Sequence, residues 1–217
     1  MAYGFLATNS SSDTVINDTD PTMVSVRSGS KASYTTLGGN NQFREDVSDN
    51  IIPGSDEMVL IEVPVSSWIM HSEGYVDPTS KSGDFTSNMD PINYTVVGSR
   101  ADLANPTGYG MAVYDSLGQC VWDDASEAAR LLGGGVIPGS TITNLTYSLT
   151  VNSTANAIFL QGGTTITDSV SGDRAGVRAT RISSTQWEFE MEFYSNVIST
   201  NLVVEQRDLF YMFAQID

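Results

Sequence analysis

The sequence predicts an all-β protein with little helix, laid out as two tandem β-sandwich-like modules. Three observations carry that expectation. Only 17% of the residues are charged, so the polar surface is mostly Ser, Thr, Asn and Gly, which suit strands and turns better than long helices. The stretch QWEFEMEFY, residues 186–194, alternates apolar and acidic side chains with a strict period of two. One hairpin-like phrase also occurs twice, as YGFLATNSSSDTVIND at 3–18 and YGMAVYDSLGQCVWDD at 109–124.

The two phrases lie on one another without gaps. Tyr, Gly, a Ser, a Val and an Asp coincide, Asn9 meets Asp115, and Ile16 meets Trp122. In the second copy, Met111 to Tyr114 alternate faces as a strand does. Asp115-Ser-Leu-Gly118 then makes a tight turn, with Asp suited to its first position and Gly to the positive-φ position that ends it. Cys120 to Trp122 returns as the second strand, so the unit reads as a β-hairpin. The first copy has Asn9-Ser-Ser-Ser12 at the turn and lacks the Gly. Two readings of the next segment stay open. Asp124-Ala-Ser-Glu127, followed by Ala128 to Leu132 and Gly133, fits a capping box, one short helix and a Gly stop. The aligned DTDPTMVSV of the first copy, with Pro21 opposite Glu127, argues instead for a turn and then a strand.

Further strands follow in order. Met58 to Val65 is apolar enough for a buried strand, with Pro64 near its end. Ser67–Met70 and Ile92–Val97 come next. The second half offers Thr141–Val151, Ala157–Leu160, Gly176–Ile182, Gln186–Tyr194, Leu202–Glu205 and Leu209–Ile216. Spacings of about ten residues broken by Gly, Asn and Ser are those of sandwiches and barrels. In the Gln186 strand, Trp187, Phe189, Met191 and Phe193 point to one face and Glu188, Glu190 and Glu192 to the other. A tight hairpin through Ser183-Ser-Thr185 is expected to set Arg181 beside Glu188. The repeat divides the chain into a module at 1–100, a Pro/Gly-containing linker at 101–108 and a module at 109–217. Residues 28–50 and 77–91 read as long polar loops, where binding surfaces tend to sit.

The chain carries 26 acids against 10 bases, a net charge of −16. That balance repels phosphate backbones, so nucleic acid is not an expected partner. Cys120 is the sole cysteine and sits in an apparent strand, which excludes an internal disulfide and reads as a small core residue. The N-terminal residues show neither a basic region nor an apolar run. No secretory signal and no membrane insertion are expected, and synthesis and folding in a cytoplasm follow.

No catalytic residues, metal ligands or cofactor are expected. His71 is the only histidine, which leaves no two-His metal site, and no Gly-x-Ser-x-Gly elbow accompanies it. Glu188, Glu190 and Glu192 stand about 6.5–7 Å apart along a strand and read as its solvated face rather than as a glycosidase pair. Asp18, Asp20, Asp123 and Asp124 match no calcium-loop pattern and read as turn caps. Gly133-Gly-Gly135 lacks the Gly-Lys-Ser/Thr of a phosphate loop. Trp122 and Trp187 are expected in the core. Trp68 and Tyr75 flank the 77–91 loop, and together with Asp77, Asp84 and Asp90 they are the candidate contacts for a glycan or receptor.

The unit at 109–124 resembles the opening of many small structural proteins of tailed bacteriophages. These begin with a Gly-apolar-x-Val-Tyr/Phe-Asn/Asp strand, a short turn ending in Gly, and an apolar-x-Asp strand. Here the matching residues are Gly110, Met111, Val113, Tyr114, Asp115, Gly118, Val121 and Asp123, and residues 132–139 (LGGGVIPG) continue in the same manner. The first copy matches at Gly4, Phe5, Asn9, Val15 and Asn17 and departs at Ala7, Thr8 and Ser12. The resemblance implies a non-enzymatic virion protein of the tail tip or tail fibre, made in the host cytoplasm. Repeated subunits close into symmetric assemblies, so a homo-oligomer is expected, a trimer if a fibre or a tip, in contact with other virion proteins and with a host-surface glycan. A capsid decoration protein is the alternative, and a free carbohydrate-binding protein or glycan depolymerase is the second.

Overall fold

The structure, a computed structural model, describes residues 6–8, 14–17, 23–32, 35–37, 40–44, 57–72, 84–100, 103–104, 106–107, 110–126, 130–142, 147–168, 174–193 and 202–216. Among them the chain is all-β, with no α-helix. The first half runs β1 (Leu6–Thr8), β2 (Thr14–Asn17), β3 (Met23–Lys31), β4 (Thr35–Leu37), β5 (Asn40–Arg44), β6 (Met58–Glu62), β7 (Ser67–Ser72), β8 (Asp84–Ser87) and β9 (Ile92–Ser99). The second runs β10 (Ala112–Tyr114), β11 (Cys120–Asp123), β12 (Arg130–Ile137), β13 (Ser148–Asn152), β14 (Ala157–Gly162), β15 (Thr165–Asp168), β16 (Arg174–Ser183), β17 (Gln186–Phe193), β18 (Leu202–Glu205) and β19 (Leu209–Gln215). A 3-10 turn at Gly139–Thr141 follows β12.

Two large antiparallel sheets face each other. One has six strands in the order β12-β19-β14-β6-β9-β3. The other has nine, along the path β13-β17-β16-β7-β8-β5-β4, with β15 against β16 and β18 against β15. The period-two pattern of β17 supplies one wall of the core: Trp187, Phe189 and Met191 are buried. From the facing sheet, Phe213 of β19 meets Trp187 with ring centroids 5.2 Å apart, and Tyr211 meets Phe189 at 4.7 Å. Val59, Ile61, Ile92, Val96, Ile158 and Leu160 fill the same layer. Each fully buried side chain of this size contributes about 1.5–3 kcal/mol. A second cluster, built on Leu60, Val97, Ala157 and Ala214, takes the alternate residues of the same strands and so lies on the other face of the six-stranded sheet.

The sequence repeat is also a repeat of register. In the first hairpin Leu6 pairs with Asn17, Ala7 with Ile16 and Thr8 with Thr14, with a bulge after Ala7. In the second the aligned residues pair identically: Ala112 with Asp123, Val113 with Trp122, Tyr114 with Cys120, and the bulge follows Val113. The correspondence continues past the hairpins. β3 pairs with β9 and β12 pairs with β19, each with a bulge at the aligned Val26 and Leu132. Gly29 lies opposite Tyr94, and Gly135 lies opposite Tyr211. A Cβ on either glycine would stand 2.7 Å from the tyrosine hydroxyl, so each ring needs a bare backbone beneath it. Strand order repeats as well: β12-β19-β14 mirrors β3-β9-β6, and β13-β17-β16 mirrors β5-β8-β7. The halves meet at an approximate two-fold relation, where Ala157 pairs with Glu62 and Ile158 with Ile61.

The division into modules 1–100 and 109–217 with a linker at 101–108 is not confirmed. Both large sheets draw strands from the two sides of that linker, and one hydrophobic cluster does the same. The expected polar loops also contain strands: β4 and β5 lie within 28–50, and β8 lies within 77–91. These strands are short, and their polar residues mask the period. Of the two readings for the segment after Asp124, Arg130–Ile137 is strand; residues 127–129 and the first hairpin's turn at 9–13 lie outside the described residues. Of the strand expected over 141–151, the described residues show Ser148–Asn152 as strand and Thr141 in the 3-10 turn, and residues 143–146 lie outside the described residues. Arg181 does not stand beside Glu188. A bulge between Arg181 and Ser183 shifts the register, so Arg181 faces Trp187 and the ion pair forms between Arg178 and Glu190.

Two outcomes test this architecture. Urea unfolding should show one transition, coincident by tryptophan fluorescence and far-UV circular dichroism; two separated transitions contradict the shared core. Gly29→Val and Gly135→Val should each lower stability by about 1–3 kcal/mol through displacement of the overlying tyrosine, and effects near zero in both overturn the packing assignment.

Candidate functional site

Of the sequence-predicted contact residues, Trp68, Asp84 and Asp90 are among the described residues. Trp68 of β7 is 9% exposed, and the Arg178 guanidinium stands over its ring at 5.4 Å. Its backbone N–H donates to Asn88 Oδ1 at 2.9 Å. The ring is covered by a cation that is itself paired with Glu190. Asp84 begins β8, with Ser72 and Arg44 as its backbone neighbours. Asp90 is exposed in the bend before β9. Tyr75 and Asp77 lie outside the described residues.

The structure forms a cleft elsewhere, at one end of the sandwich beside the two-fold junction. It encloses about 170 Å³, and its lining includes Glu62, Pro64, Met89, Asn93, Asn156 and Arg181. The β6–β7 turn makes one wall. It is closed by Ser67 N–H donating to the Pro64 carbonyl at 3.0 Å, and Ser66 N–H donates to the Arg181 carbonyl at 2.8 Å. Ser66 holds a positive φ of 66° there. The β8–β9 connection makes another wall, tied by Met89 N–H donating to Ser87 Oγ at 2.8 Å. Asn156 closes the floor: its Nδ2 donates to the Ile216 carbonyl at 2.6 Å and its Oδ1 accepts from Ile216 N–H at 2.8 Å.

Arg181 is the cation of this cleft. Ala179 and Trp187 set the inward face of β16 and β17, and Arg181 follows at that parity, at the rim of the core. One guanidinium nitrogen donates to the Val63 carbonyl at 3.1 Å. Its Nε is buried with no hydrogen-bond partner. Burial pushes its pKa below the usual arginine value, and among the described residues no carboxylate lies within ion-pair distance of it. The sequence marked Arg181 only as a surface partner for Glu188; nothing local signals an inward-facing arginine.

A second cleft occupies the repeat-related position. It is a shallow, open depression of about 520 Å³ lined by Gln161, Gly162, Gln206, Arg207, Asp208 and Phe210. By the register of β6 with β9 and of β14 with β19, Gln161 stands for Glu62 and Phe210 for Asn93. Its walls are held by Asp208 Oδ1 accepting from Gly139 N–H at 2.9 Å and by Thr164 Oγ1 donating to the Arg207 carbonyl at 3.1 Å. Arg207 differs from Arg181 in kind: its side chain is 53% exposed and lies 3.6 Å from Glu205.

The second hairpin is pinned to the end of β9 by a buried ion pair. Arg100 and Asp123 are each 3% exposed. Arg100 Nε binds Asp123 Oδ2, and its other nitrogens donate to the Leu103 and Ala104 carbonyls. Asp123 also accepts from Ala125 N–H, Ser126 N–H and Ser126 Oγ. Burial alone would raise the Asp123 pKa. The hydrogen bonds from Arg100 and Ser126 outweigh that and hold it below the usual carboxylate value. The turn itself follows the sequence reading: Gly118 has φ 81°, and Asp115 Oδ1 accepts from Leu117 and Gln119 N–H at 2.8 Å. Cys120 is buried. The hairpin nevertheless leaves Leu117 84% and Met111 67% exposed. Among the described residues, no three His, Cys, Asp or Glu side chains are placed to hold a metal ion. No helix among them is long and apolar enough to cross a membrane.

Compared with known proteins, the chain matches no family model, no curated protein and no solved structure.

Asp123→Ala should cost about 3–5 kcal/mol, because it strands the Arg100 cation in a buried site. The Asp123 pKa is lower in the folded chain than unfolded, so its contribution is full above about pH 4 and fades as pH falls through the folded value. Urea stabilities of the wild type and Asp123→Asn should therefore converge as pH falls through the folded value. A gap that stays constant from neutral pH downward would show that the pair is not the pin.

Proposed function

We propose that this chain is a non-enzymatic structural protein of a tailed-bacteriophage virion. In this reading it belongs to the tail tip or fibre and assembles with copies of itself and with neighbouring virion proteins. The observation that carries the reading is the hairpin. The unit that resembles the opening of phage structural proteins is built twice, in one register and with one bulge position. Its second copy is braced by the Arg100–Asp123 pair while Met111, Tyr114 and Leu117 stay exposed. A rigid hairpin carrying large apolar side chains into solvent is suited to insertion into a neighbouring protein surface. The net charge of −16 keeps free subunits apart until specific contacts form.

The experiment is immunogold labelling of intact particles with antibody to the chain, alongside light scattering of the purified protein. Label at the tail end and an oligomer are expected. Leu117→Asp combined with Met111→Asp should shift the oligomer toward monomer while leaving the circular dichroism spectrum unchanged. Label spread over the capsid shell would replace the tail assignment with a decoration role. A monomer that never labels a particle would end the virion reading altogether.

A further inference from the structure

We propose that the cleft at Arg181 is a binding site for one small carboxylate-bearing, hydroxyl-rich ligand of the uronic acid class. This goes beyond the virion reading and does not depend on where in a particle the chain sits. Arg181 supplies the first argument. Arg181 lines the cleft, and among the described residues no carboxylate stands within ion-pair distance of it. A ligand carboxylate supplies that missing counter-charge, and its two oxygens suit the planar guanidinium. One donor is already committed to the Val63 carbonyl, which holds the side chain in place for that approach.

The rest of the lining sets the remainder of the ligand. Glu62 and Asn93 offer an acceptor and an amide to hydroxyl groups, while Pro64, Pro91 and Met89 give apolar edges. The volume of about 170 Å³ lies below the roughly 300 Å³ at which drug-sized sites begin, so the ligand is a single ring or a chain end, not a stretch of polymer. The repeat-related cleft is a control built into the same molecule. Its arginine, Arg207, is exposed and close to Glu205, and Phe210 takes the place of Asn93. One site per chain is therefore expected, not two.

The test is a titration of the full chain with glucuronate, with glucose and acetate as comparison ligands, followed by calorimetry and by amide chemical shifts. Glucuronate should bind at one site per chain and shift the amides of Glu62, Asn93 and Arg181 while leaving Gln161 and Phe210 unmoved. Arg181→Gln should weaken binding at least about tenfold, the scale of losing one charge-assisted hydrogen bond. Arg207→Gln should leave it unchanged. Should Arg181→Gln fold poorly, the exposed Asn93→Ala should still weaken binding, and the wild-type shift map stands by itself. Equal binding of glucose would overturn the carboxylate requirement, and equal binding of acetate the hydroxyl requirement. Shifts at both clefts, or no binding by any of the three, would overturn the site.

Discussion

The antiparallel junction between β6 and β14 is the constraint on which the rest of this molecule depends. There Ile61 pairs with Ile158 and Glu62 with Ala157, and Val63 N–H donates to the Asn156 carbonyl just beyond. Without that junction each half would present an open strand edge and half of a sandwich core. With it, both edges are satisfied and Ile61 and Ile158 enter one apolar layer with residues of both halves. β7 and β16 make the matching junction in the facing sheet, through Ile69 and Ala179. The two sheets are thus each continuous across a chain that repeats itself.

A duplicated frame of this kind separates what must stay from what is free to change. Gly29 beneath Tyr94 and Gly135 beneath Tyr211 keep the same geometry, because any Cβ there collides with a packed ring. At the end of the sandwich Gly139 and Gly162 are restricted as well, since a Cβ there would stand 2.6 Å from the Arg207 backbone and 2.5 Å from the Asp208 carbonyl, but the strand residues beside them differ between the halves. Glu62 and Gln161, or Asn93 and Phe210, occupy equivalent places with unlike chemistry. One cleft holds a half-buried cation and the other an exposed one.

The second hairpin shows a different balance. Its register comes from local features: a turn with Asp115 accepting from two N–H groups and Gly118 at positive φ. Its attachment does not. Arg100 reaches Asp123 from the end of β9, and the carboxylate that reads as a turn cap in sequence is also the counter-ion of a buried arginine. A single side chain therefore couples the hairpin to the sandwich while its tip stays exposed.

Much of the strand content was legible from residues alone. The alternation around Trp187, the apolar runs at Met58 and Leu209 and the turn at Asp115 each report on neighbours a few residues away; all form there, although the strand expected over Met58–Val65 ends at Glu62, where Pro64 and the turn after it interrupt the ladder. β4, β5 and β8 were not legible, since short strands rich in Asn, Thr and Ser carry no usable period. Proximity to the 77–91 loop is what marks Trp68 in the sequence, and its burial under Arg178 is invisible at that level. By itself the sequence determined the all-β class, the hairpin unit and its repetition, because side-chain alternation and turn chemistry act over a handful of residues. Only the tertiary structure decided that the halves share their sheets and that Arg181 lines a cleft. Those outcomes depend on groups brought together from afar, such as Arg181 and the Val63 carbonyl, 118 residues apart in the chain.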